Sequence, residues 1–413
     1  MPLSTLSTSN CFVTHLESAI DGTQLYADSL QTLHDGRPIW VRYDLEQIRT
    51  LISRDDLIGR PSTLWRYDEL LPNRGTNHVI SLGEGMTPVL NAAQLGAHLG
   101  HRRLSIKDES QLPTGSFKSR GMAMAITMAN YFGIERVALP SAGNAGGAAA
   151  AYAARAGMEC YVFMPEDTPV INQYEAFHCG AHVYLVDGLI TDCGRMVHEG
   201  QSVKQWFDLS TLKEPYRIEG KKTMGLELAE QCNWELPDVI VYPTGGGTGL
   251  IGMWKAFNEL KDLGWLDSDK LPRMISVQST GCAPIVKAFE SGERFAKKYE
   301  NAESIARGIR VPAAVGDFMI LDAVKESGGR AVSVEEERIC EWMTLSNRLE
   351  GISVCPEAAA CVGAVEQLVS EGEIRPDDNV VVFNTGGIQK YMEAMQVDVP
   401  RLSKDQTVDW SMI

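Results

Sequence analysis

One lysine stands where its amine could form a covalent bond to a carbonyl compound. Lys118 follows the tight turn Pro113-Thr114-Gly115 and precedes an apolar run, residues 122–131, that predicts a helix. An amine at a helix N-terminus meets the positive end of the helix dipole, which disfavours the ammonium form and leaves a nucleophilic amine. Lys118 is therefore a candidate for a Schiff base, although a single lysine is more often an ordinary surface residue.

A second motif combines small residues with a predicted helix start. The short apolar run 137–139 leads through Pro140-Ser141-Ala142-Gly143-Asn144 into an alanine-rich helix predicted to continue to Ala156. Small residues let the backbone approach a ligand, and free amides at a helix start can bind an anion such as a carboxylate. Taken alone, such a turn is more often a packing feature than a binding site.

A third motif has the composition of a phosphate-binding loop. The apolar strand predicted over 238–242 runs into Gly245-Gly246-Gly247-Thr248-Gly249, and a helix is predicted over 250–260. Glycines permit unusual backbone angles, and their amides converge on an anion in front of a helix N-terminus. The spacing is not that of a P-loop, because no Gly-Lys-Ser/Thr follows.

The same loop also matches a dinucleotide-binding pattern through Gly247, Gly249 and Gly252. That site requires an acidic residue at the end of the next strand, where it holds a ribose. The next predicted strand, 274–277, ends instead in Gln278-Ser279. The loop therefore favours the phosphate of a smaller cofactor.

A fourth motif, Asn384-Thr385-Gly386-Gly387, follows the apolar run 380–383. The four motifs in this order resemble those of pyridoxal-phosphate enzymes of the tryptophan-synthase β-chain type, and within that group the threonine synthases. The resemblance spans about residues 41–391. It is strengthened by three further segments, which are Val-Arg-Tyr-Asp-Leu at 41–45, Ser-Leu-Gly-Glu-Gly-Met-Thr-Pro at 81–88 and Ile-Lys-Asp-Glu-Ser at 106–110.

The resemblance implies a role for each motif. Lys118 would hold pyridoxal 5'-phosphate as a Schiff base and then move protons at Cα and Cβ of the substrate. The residues Gly245, Gly246, Gly247, Thr248 and Gly249 would bind the cofactor phosphate, and Asn144 the ring hydroxyl oxygen. Thr385 would meet the ring nitrogen. A carboxylate at this position would protonate the ring nitrogen. A hydroxyl leaves the nitrogen largely unprotonated, which favours elimination and replacement over transamination.

The substrate residues are expected near these groups. Ser116, Ser141 and Gly143 would bind the substrate carboxylate. A substrate phosphate needs cations, and the candidates are Arg217 and Lys221, with Lys213 and Lys222 nearby. The pair Lys221-Lys222 is equally typical of a solvated helix start.

Four positions depart from the pattern of threonine synthases. Ser119 stands where that family often has Asp, and Ala142 and Ala145 replace residues that are commonly Ser or Thr. Glu214 precedes Pro215 where some members have Asn, and its carboxylate would repel a substrate phosphate unless a cation offsets it. These departures concern the substrate site and leave the cofactor motifs intact.

The expected reaction is therefore that of threonine biosynthesis, in which O-phospho-L-homoserine and water give L-threonine and phosphate. Another β- or γ-elimination or replacement enzyme on a small amino acid is the alternative, such as a threonine/serine dehydratase, a cysteate synthase or a diaminopropionate ammonia-lyase. A third class is a sensor or scaffold that binds the cofactor without turnover. The presence of Lys118 beside an intact phosphate loop argues against it.

Strand-like runs alternate with helical runs along most of the chain, which predicts an α/β fold with two parallel-sheet domains and the cofactor in the cleft between them. A length of 413 residues exceeds what one core normally holds. We expect an N-terminal extension at 1–75, a large cofactor-binding domain at 76–122 and 216–413, and a small domain at 123–215. The predicted strands are 103–107, 137–140, 160–164, 182–186, 239–242, 274–277 and 380–383.

Composition narrows the partners. The formal charge of −16 argues against nucleic acid or an anionic membrane, since either would repel the chain. No apolar run approaches the roughly 20 residues of a bilayer span, and residues 1–11 lack the features of a signal peptide. We expect a cytoplasmic enzyme whose partner is a small amino acid. The sequence does not determine the oligomeric state, and a homodimer is compatible with it.

The nine cysteines are scattered, and no Cys-x-x-Cys motif occurs. Many threonine synthases begin with a four-cysteine ribbon, but only Cys11 lies in that part of this chain. A closed zinc site needs four ligands, so we expect no metal there. The cysteines are expected to be reduced and mostly buried, as in a cytosolic protein.

Overall fold

The computed structural model describes residues 11–395, 399–405 and 410. Three sheets organise these residues, with the strand orders β2-β1-β3, β12-β11-β10-β13-β5-β4 and β8-β7-β6-β9. The strands are β1 (Val13–Ser18), β2 (Gln24–Leu25), β3 (Ile39–Tyr43), β4 (Val89–Asn91), β5 (Leu104–Asp108), β6 (Arg136–Pro140), β7 (Glu159–Pro165), β8 (His182–Val186), β9 (Phe207–Asp208), β10 (Val239–Pro243), β11 (Arg273–Ser279), β12 (Arg330–Val334) and β13 (Val380–Asn384).

Helices connect and cover these strands. They are α1 (Leu45–Leu51), α2 (Ala93–His98), α3 (Lys118–Tyr131), α4 (Asn144–Ala156), α5 (Val170–His178), α6 (Ile190–Lys204), α7 (Tyr216–Gln231), α8 (Thr248–Leu263), α9 (Pro284–Glu290), α10 (Asp317–Glu326), α11 (Ile339–Glu350) and α12 (Pro356–Ser370). Among the described residues, no helix combines the length and the apolar character that a membrane span requires.

The six-stranded sheet is parallel except for β4, which pairs antiparallel with β5. Successive side chains of a strand point to opposite faces, so each strand must be apolar on both faces when helices cover both. Val239 and Val241 accordingly pack in one core with α11 and α12. Ile240 and Tyr242 pack in the other core with α8 and α10.

The four-stranded sheet is parallel throughout. One of its faces packs on α3 and α4, where alanine and methionine side chains fill a close helix–sheet contact. The opposite face packs on α6 through Val197 and Trp206. The predicted α/β architecture and all seven predicted strands are confirmed, with end residues that differ by at most two positions.

The sequence analysis missed several elements. Residues 13–43 form the small antiparallel sheet β2-β1-β3, where only a polar extension was expected. Strands β4, β9 and β12 were also missed, because they are short or lack a distinctive run.

A cluster of four fully buried charged side chains lies at the centre of the molecule. Arg120 of α3 contacts Glu109 at 2.6 Å and Glu227 of α7 at 2.9 Å, and Lys107 of β5 pairs with Glu227 as well. Burial disfavours the Glu227 carboxylate, but the charges of Arg120 and Lys107 outweigh burial and lower its pKa to about 2. Backbone amides of residues 86 and 87 also donate to Glu227, at 2.7 Å each.

Replacing Arg120 with Met should strongly destabilise the fold, because two buried carboxylates then lose their shared cation. We expect a loss of about 3–5 kcal/mol in the free energy of unfolding. Urea unfolding at a fixed cofactor concentration measures it. The control is Arg195→Met, which removes the exposed i,i+4 pair with Glu199 and should cost less than about 1 kcal/mol. Equal losses for the two variants would contradict the central role of the cluster.

Candidate active site

Three chain segments are held side by side at the carboxyl ends of the large sheet. The Phe117 amide donates to the Thr385 carbonyl at 3.0 Å, and the Gly387 amide donates to the Gly115 carbonyl at 2.9 Å. On the other side, the Cys355 amide donates to the Asn384 side chain at 3.1 Å. These bonds place three pieces of the chain around one point. They are the segment before α3, the segment after β13 (residues 384–387, the middle segment) and the start of α12.

Lys118 is the first residue of α3 and is partly exposed at that point. Burial lowers the pKa of its amine to about 7, and the positive charge of Arg217 adds to the effect. Glu357 and Cys355 act in the opposite direction. A low pKa had been expected from the helix dipole, but burial is the larger cause. At neutral pH a large share of Lys118 is thus in the nucleophilic form.

Thr385 lies in the middle segment and is buried. Its Oγ1 is 3.6 Å from Sγ of Cys355. Burial raises the pKa of the Cys355 thiol, and the Glu357 carboxylate raises it further, so the thiol stays protonated. A hydroxyl and a protonated thiol therefore stand together next to Lys118, and neither carries a charge.

The glycine-rich loop joins β10 to α8. Gly247 is the N-cap of α8 with φ 72°, in the left-handed region that favours glycine, and it makes no side-chain cap hydrogen bond. A methyl group on Gly246 would lie 2.8 Å from Cγ2 of Thr211, so the close approach of that segment requires glycine. The first amides of a helix have no intrahelical acceptor. The loop thus offers free donors to an anion.

Asn144 begins α4, close to the middle segment. Its Nδ2 donates to the hydroxyl of Tyr391 at 3.0 Å, and its buried Oδ1 has no partner among the described residues. The buried Oγ of Ser116 likewise lacks a partner in the described part of the chain. Buried polar groups are almost always fully hydrogen-bonded, so Asn144 and Ser116, which both have unused hydrogen-bonding capacity beside an open site, suit a bound ligand.

Ser141 makes its hydrogen bonds within its own turn. Its Oγ accepts from the Gly146 amide at 2.9 Å and donates to the Gly143 carbonyl at 2.8 Å. The hydroxyl therefore caps the start of α4. Ser119, one of the four departures, bonds Thr114 at 2.7 Å and stabilises the turn before Lys118.

Arg217 and Glu214 lie at the start of α7, and both are buried. Glu214 accepts from the amides of Tyr216 at 2.7 Å and Arg217 at 3.0 Å, so it caps the helix. Burial raises the pKa of Glu214 to about 7, although the charge of Arg217 opposes the shift. Arg217 donates to the Leu209 carbonyl at 2.6 Å, and its Nε has no partner among the described residues.

The three lysines near Arg217 have different surroundings. Lys221 is fully buried, and its Nζ donates to the Phe117 carbonyl at 3.2 Å and lies 3.8 Å from the centre of the Phe117 ring. Burial, followed by the charges of Lys118 and Arg217, lowers its pKa well below the usual value. Lys213 is partly exposed and pairs with Asp208 at 3.3 Å.

Lys222 does not belong to the site. Its ammonium pairs with Glu219 at 2.7 Å and with Glu259 at 2.9 Å, inside a network that includes Lys255 and the hydroxyl of Tyr43. This network joins α7, α8 and the N-terminal sheet. The interpretation of 221–222 as a solvated helix start was wrong, because both side chains are buried.

A polar cleft of about 780 Å³ opens near Asn144, on the far side of Tyr391. Asp167, which follows β7 of the small sheet, bridges Arg307 at 3.0 Å and Arg310 at 3.2 Å across this cleft.

Tyr391 and Glu357 are site residues that the sequence analysis missed. Neither stands in a recognisable motif. Glu357, in the first turn of α12, is close enough to Lys118 to affect its pKa, and Tyr391 accepts a hydrogen bond from Asn144.

Comparison with known proteins identifies related chains. The chain is 37% identical over 358 residues to a threonine synthase from Methanocaldococcus jannaschii, covering 86% of this chain and 88% of the relative. It is 37% identical over 351 residues to a threonine synthase from Methanosarcina acetivorans, covering 85% of each. Among solved structures, maize serine racemase superimposes with a TM-score of 0.64 at 21% identity, over 73% of this chain and 88% of that one.

The family model described as pyridoxal-phosphate dependent enzyme matches residues 80–386. The residues present fit that cofactor, since the site combines a lysine of lowered pKa, free helix-start amides for a phosphate and unpaired buried polar atoms. The prediction of a fold of the tryptophan-synthase β-chain type with pyridoxal 5'-phosphate as cofactor is confirmed. The chain belongs to the family of pyridoxal-phosphate dependent enzymes.

Proposed function

We propose that this protein is a threonine synthase, which converts O-phospho-L-homoserine and water to L-threonine and phosphate. The similarity to threonine synthases over most of the chain carries the proposal. The position of Arg217 agrees with it, because a buried cation with an unpartnered Nε close to Lys118 suits an anionic substrate group.

The bound cofactor supplies an electron sink for charge that develops at the substrate carbons. We propose that Lys118 holds it and moves protons at Cα and Cβ of the substrate. The amides of Gly245, Gly246, Gly247, Thr248 and Gly249 would bind its phosphate, Asn144 its ring hydroxyl oxygen and Thr385 its ring nitrogen. The uncharged pair Thr385–Cys355 supports an unprotonated ring nitrogen.

The substrate would bind on the same side. Ser116, with its unpaired buried hydroxyl, and the turn that contains Ser141 and Gly143 are proposed for the substrate carboxylate. The Ser141 hydroxyl is engaged, so the turn would contribute chiefly through backbone amides. Arg217 is proposed to bind the substrate phosphate. Lys221, whose Nζ lies against the Phe117 ring, would add positive charge behind Arg217.

Glu214 is compatible with this assignment. Its oxygens are directed at backbone amides of α7, and with a pKa of about 7 a large share of the carboxyl group is uncharged at neutral pH. Its repulsion of a substrate phosphate is therefore smaller than its sequence position suggests.

The domain boundaries, the assembly and the location are proposals as well. The sheets support a small domain at 123–215 and a large one at 76–122 and 216–413, after an extension at 1–75, although these ranges include termini outside the described residues. The exposed apolar residues Val170, Tyr174 and Phe177 on one side of α5 support a homodimer. All nine cysteines are described and unpaired, which supports a reducing, cytoplasmic compartment.

The function is tested by incubating the holoenzyme with a panel of phosphorylated and unphosphorylated amino acids. We expect equal amounts of inorganic phosphate and L-threonine from O-phospho-L-homoserine. If that substrate gives no threonine while L-serine or L-threonine is deaminated well, the protein is a dehydratase or a related lyase, and Glu214 marks a pocket that rejects phosphate.

Arg217→Ala should lower kcat/KM for O-phospho-L-homoserine by roughly one to two decades, because one charge-assisted contact is worth about 1.5–3 kcal/mol. A side deamination of L-threonine, which carries no phosphate, should change far less. Lys213→Ala is the matched control, since it removes a neighbouring cation that pairs with Asp208. A loss that is equal for both substrates would remove Arg217 from the phosphate site.

Lys118 should be the lysine that binds the cofactor. Borohydride reduction of the holoenzyme should couple the cofactor to the peptide that contains Lys118. In the cofactor-free protein, acylation of Lys118 should rise with a midpoint near pH 7, because the neutral amine predominates above its pKa. Exposed lysines should titrate near the usual lysine value. Coupling to another lysine, or a midpoint near pH 10, would contradict the assignment.

Thr385→Asp should slow elimination and increase side transamination, because a carboxylate would protonate the ring nitrogen. Thr385→Val removes the hydroxyl without adding a charge, and it should reduce the rate while leaving the product ratio nearly unchanged. Steady-state rates and the yield of the aminated cofactor measure both effects. If neither variant changes either quantity, Thr385 is a turn residue only.

A further inference from the structure

A chain of polar groups leads away from Asn144 to a buried carboxylate. Nδ2 of Asn144 donates to the Tyr391 hydroxyl at 3.0 Å. Tyr391 follows the middle segment, and its side chain is buried. A carboxamide has a donor end and an acceptor end of nearly equal shape, so its orientation must be set by its hydrogen-bond partners.

The hydroxyl of Tyr391 has one hydrogen to donate. Burial raises the pKa of this phenol well above its usual value, and the nearby Glu357 carboxylate adds to the shift, so the phenol stays protonated. In the hydrogen bond between this phenol and Glu357 the carboxylate can only accept, so the phenol donates. The phenol oxygen is left to accept, which requires the donor end of Asn144.

Glu357 is itself fixed in place. Its Oε1 accepts from the Gly308 amide at 2.7 Å, and the side chain stands in the first turn of α12. Its Oε2 is buried and has no assigned partner within the described part of the chain. Oε2 is thus the carboxylate oxygen that remains free to accept a hydrogen bond, because the Gly308 amide donates to Oε1.

We propose that Tyr391 and Glu357 are positioning residues that determine which end of the Asn144 carboxamide faces the cofactor. The order Asn144 N–H to Tyr391 O–H to Glu357 carboxylate keeps Nδ2 at the middle segment. A methyl group on Gly386 would lie 3.2 Å from this nitrogen, so Nδ2 is close to the backbone beside Thr385. The second Nδ2 hydrogen is then available to the ring hydroxyl oxygen. This inference rests on the proposed contact between Asn144 and that oxygen.

The orientation has a spectroscopic consequence. A donor at the ring oxygen stabilises its anionic form, and an acceptor there stabilises its protonated form. The two forms of the bound cofactor absorb in the visible and in the near ultraviolet. The ratio of the two bands therefore reports which end of Asn144 faces the ring, independently of turnover.

The test uses the holoenzyme, four single variants and one double variant. Tyr391→Phe removes the hydroxyl and keeps the ring, and Glu357→Gln keeps the shape and replaces an acceptor by a group that can donate. Asn144→Ala removes the proposed contact, and Tyr26→Phe changes an exposed tyrosine outside the site and the proposed interface as the matched control. Absorption spectra and cofactor dissociation constants are measured for each.

We expect Tyr391→Phe and Glu357→Gln to shift absorption from the visible to the near-ultraviolet band, in the direction of Asn144→Ala. Their cofactor dissociation constants should rise about two- to tenfold, as for the loss of one hydrogen bond. The double variant Asn144→Ala/Tyr391→Phe should match Asn144→Ala alone, because the tyrosine acts through the asparagine. Tyr26→Phe should match the unaltered protein.

Three outcomes each overturn a different part of the proposal. If Asn144→Ala shifts the spectrum and Tyr391→Phe does not, Asn144 contacts the cofactor but Tyr391 does not orient it. If Tyr391→Phe changes only KM, the phenol contacts substrate and the positioning role is wrong. If the spectrum of Asn144→Ala is unchanged, the proposed contact between Asn144 and the cofactor is wrong. The proposed threonine synthase activity would still stand, because threonine formation is measured separately.

Discussion

The buried charge cluster of Arg120, Glu109, Glu227 and Lys107 is the constraint on which the rest of the structure depends. Each of these side chains is fully buried, and an unpaired charge at this depth would be very costly. All must therefore be brought together when the chain folds. Because they come from β5, the turn that follows it, α3 and α7, their pairing sets the positions of these elements relative to one another. Lys118 lies two residues before Arg120 on α3, so the cluster also fixes the origin of the reactive amine.

The site uses the parallel sheets in the way that such sheets allow. Strands β5, β6, β10 and β13 end at the segments that contain Lys118, Asn144, the glycine-rich loop and Thr385, respectively. The carboxyl ends of β5, β10 and β13 share one edge of the large sheet, and β6 of the small sheet brings Asn144 to the same place, so residues far apart in the chain meet there. Around Lys118 the cation Arg217 and the carboxylate Glu357 act in opposite directions, and burial leaves the amine close to neutrality at physiological pH.

Three of the departures from the threonine synthase pattern can be explained by what the side chains at those positions contact. Glu214 caps α7, and Ser119 bonds within the turn that precedes Lys118. Both are directed at the backbone or at neighbouring side chains of the protein. Ala145 is packed against the core of the small sheet. The side chains of Glu214 and Ser119 are therefore engaged within the protein, and the cation Arg217 lies close enough to Lys118 to lower its pKa.

Much of the fold could be predicted because its signals are local. Apolar runs define the buried parallel strands, and glycine or proline marks the turns where they end. The candidate lysine and the glycine-rich loop could also be identified, since each lies within a short contiguous motif. Strands β4 and β9 were not, because three and two residues have no periodicity, and their strand form depends on pairing with a neighbour.

By itself, the sequence determined the fold class, the cofactor and the order of the motifs, because these depend on residue types within a few positions of one another. Tertiary structure decided the roles of single residues. Lys222 is bound by two carboxylates from α7 and α8, whereas Lys221, one position earlier, lies against Phe117 with no carboxylate at ion-pair distance among the described residues. Tyr391 and Glu357 reach Asn144 only through long-range packing. Burial and charge at a point depend on which segments fold together there, and no local pattern contains that information.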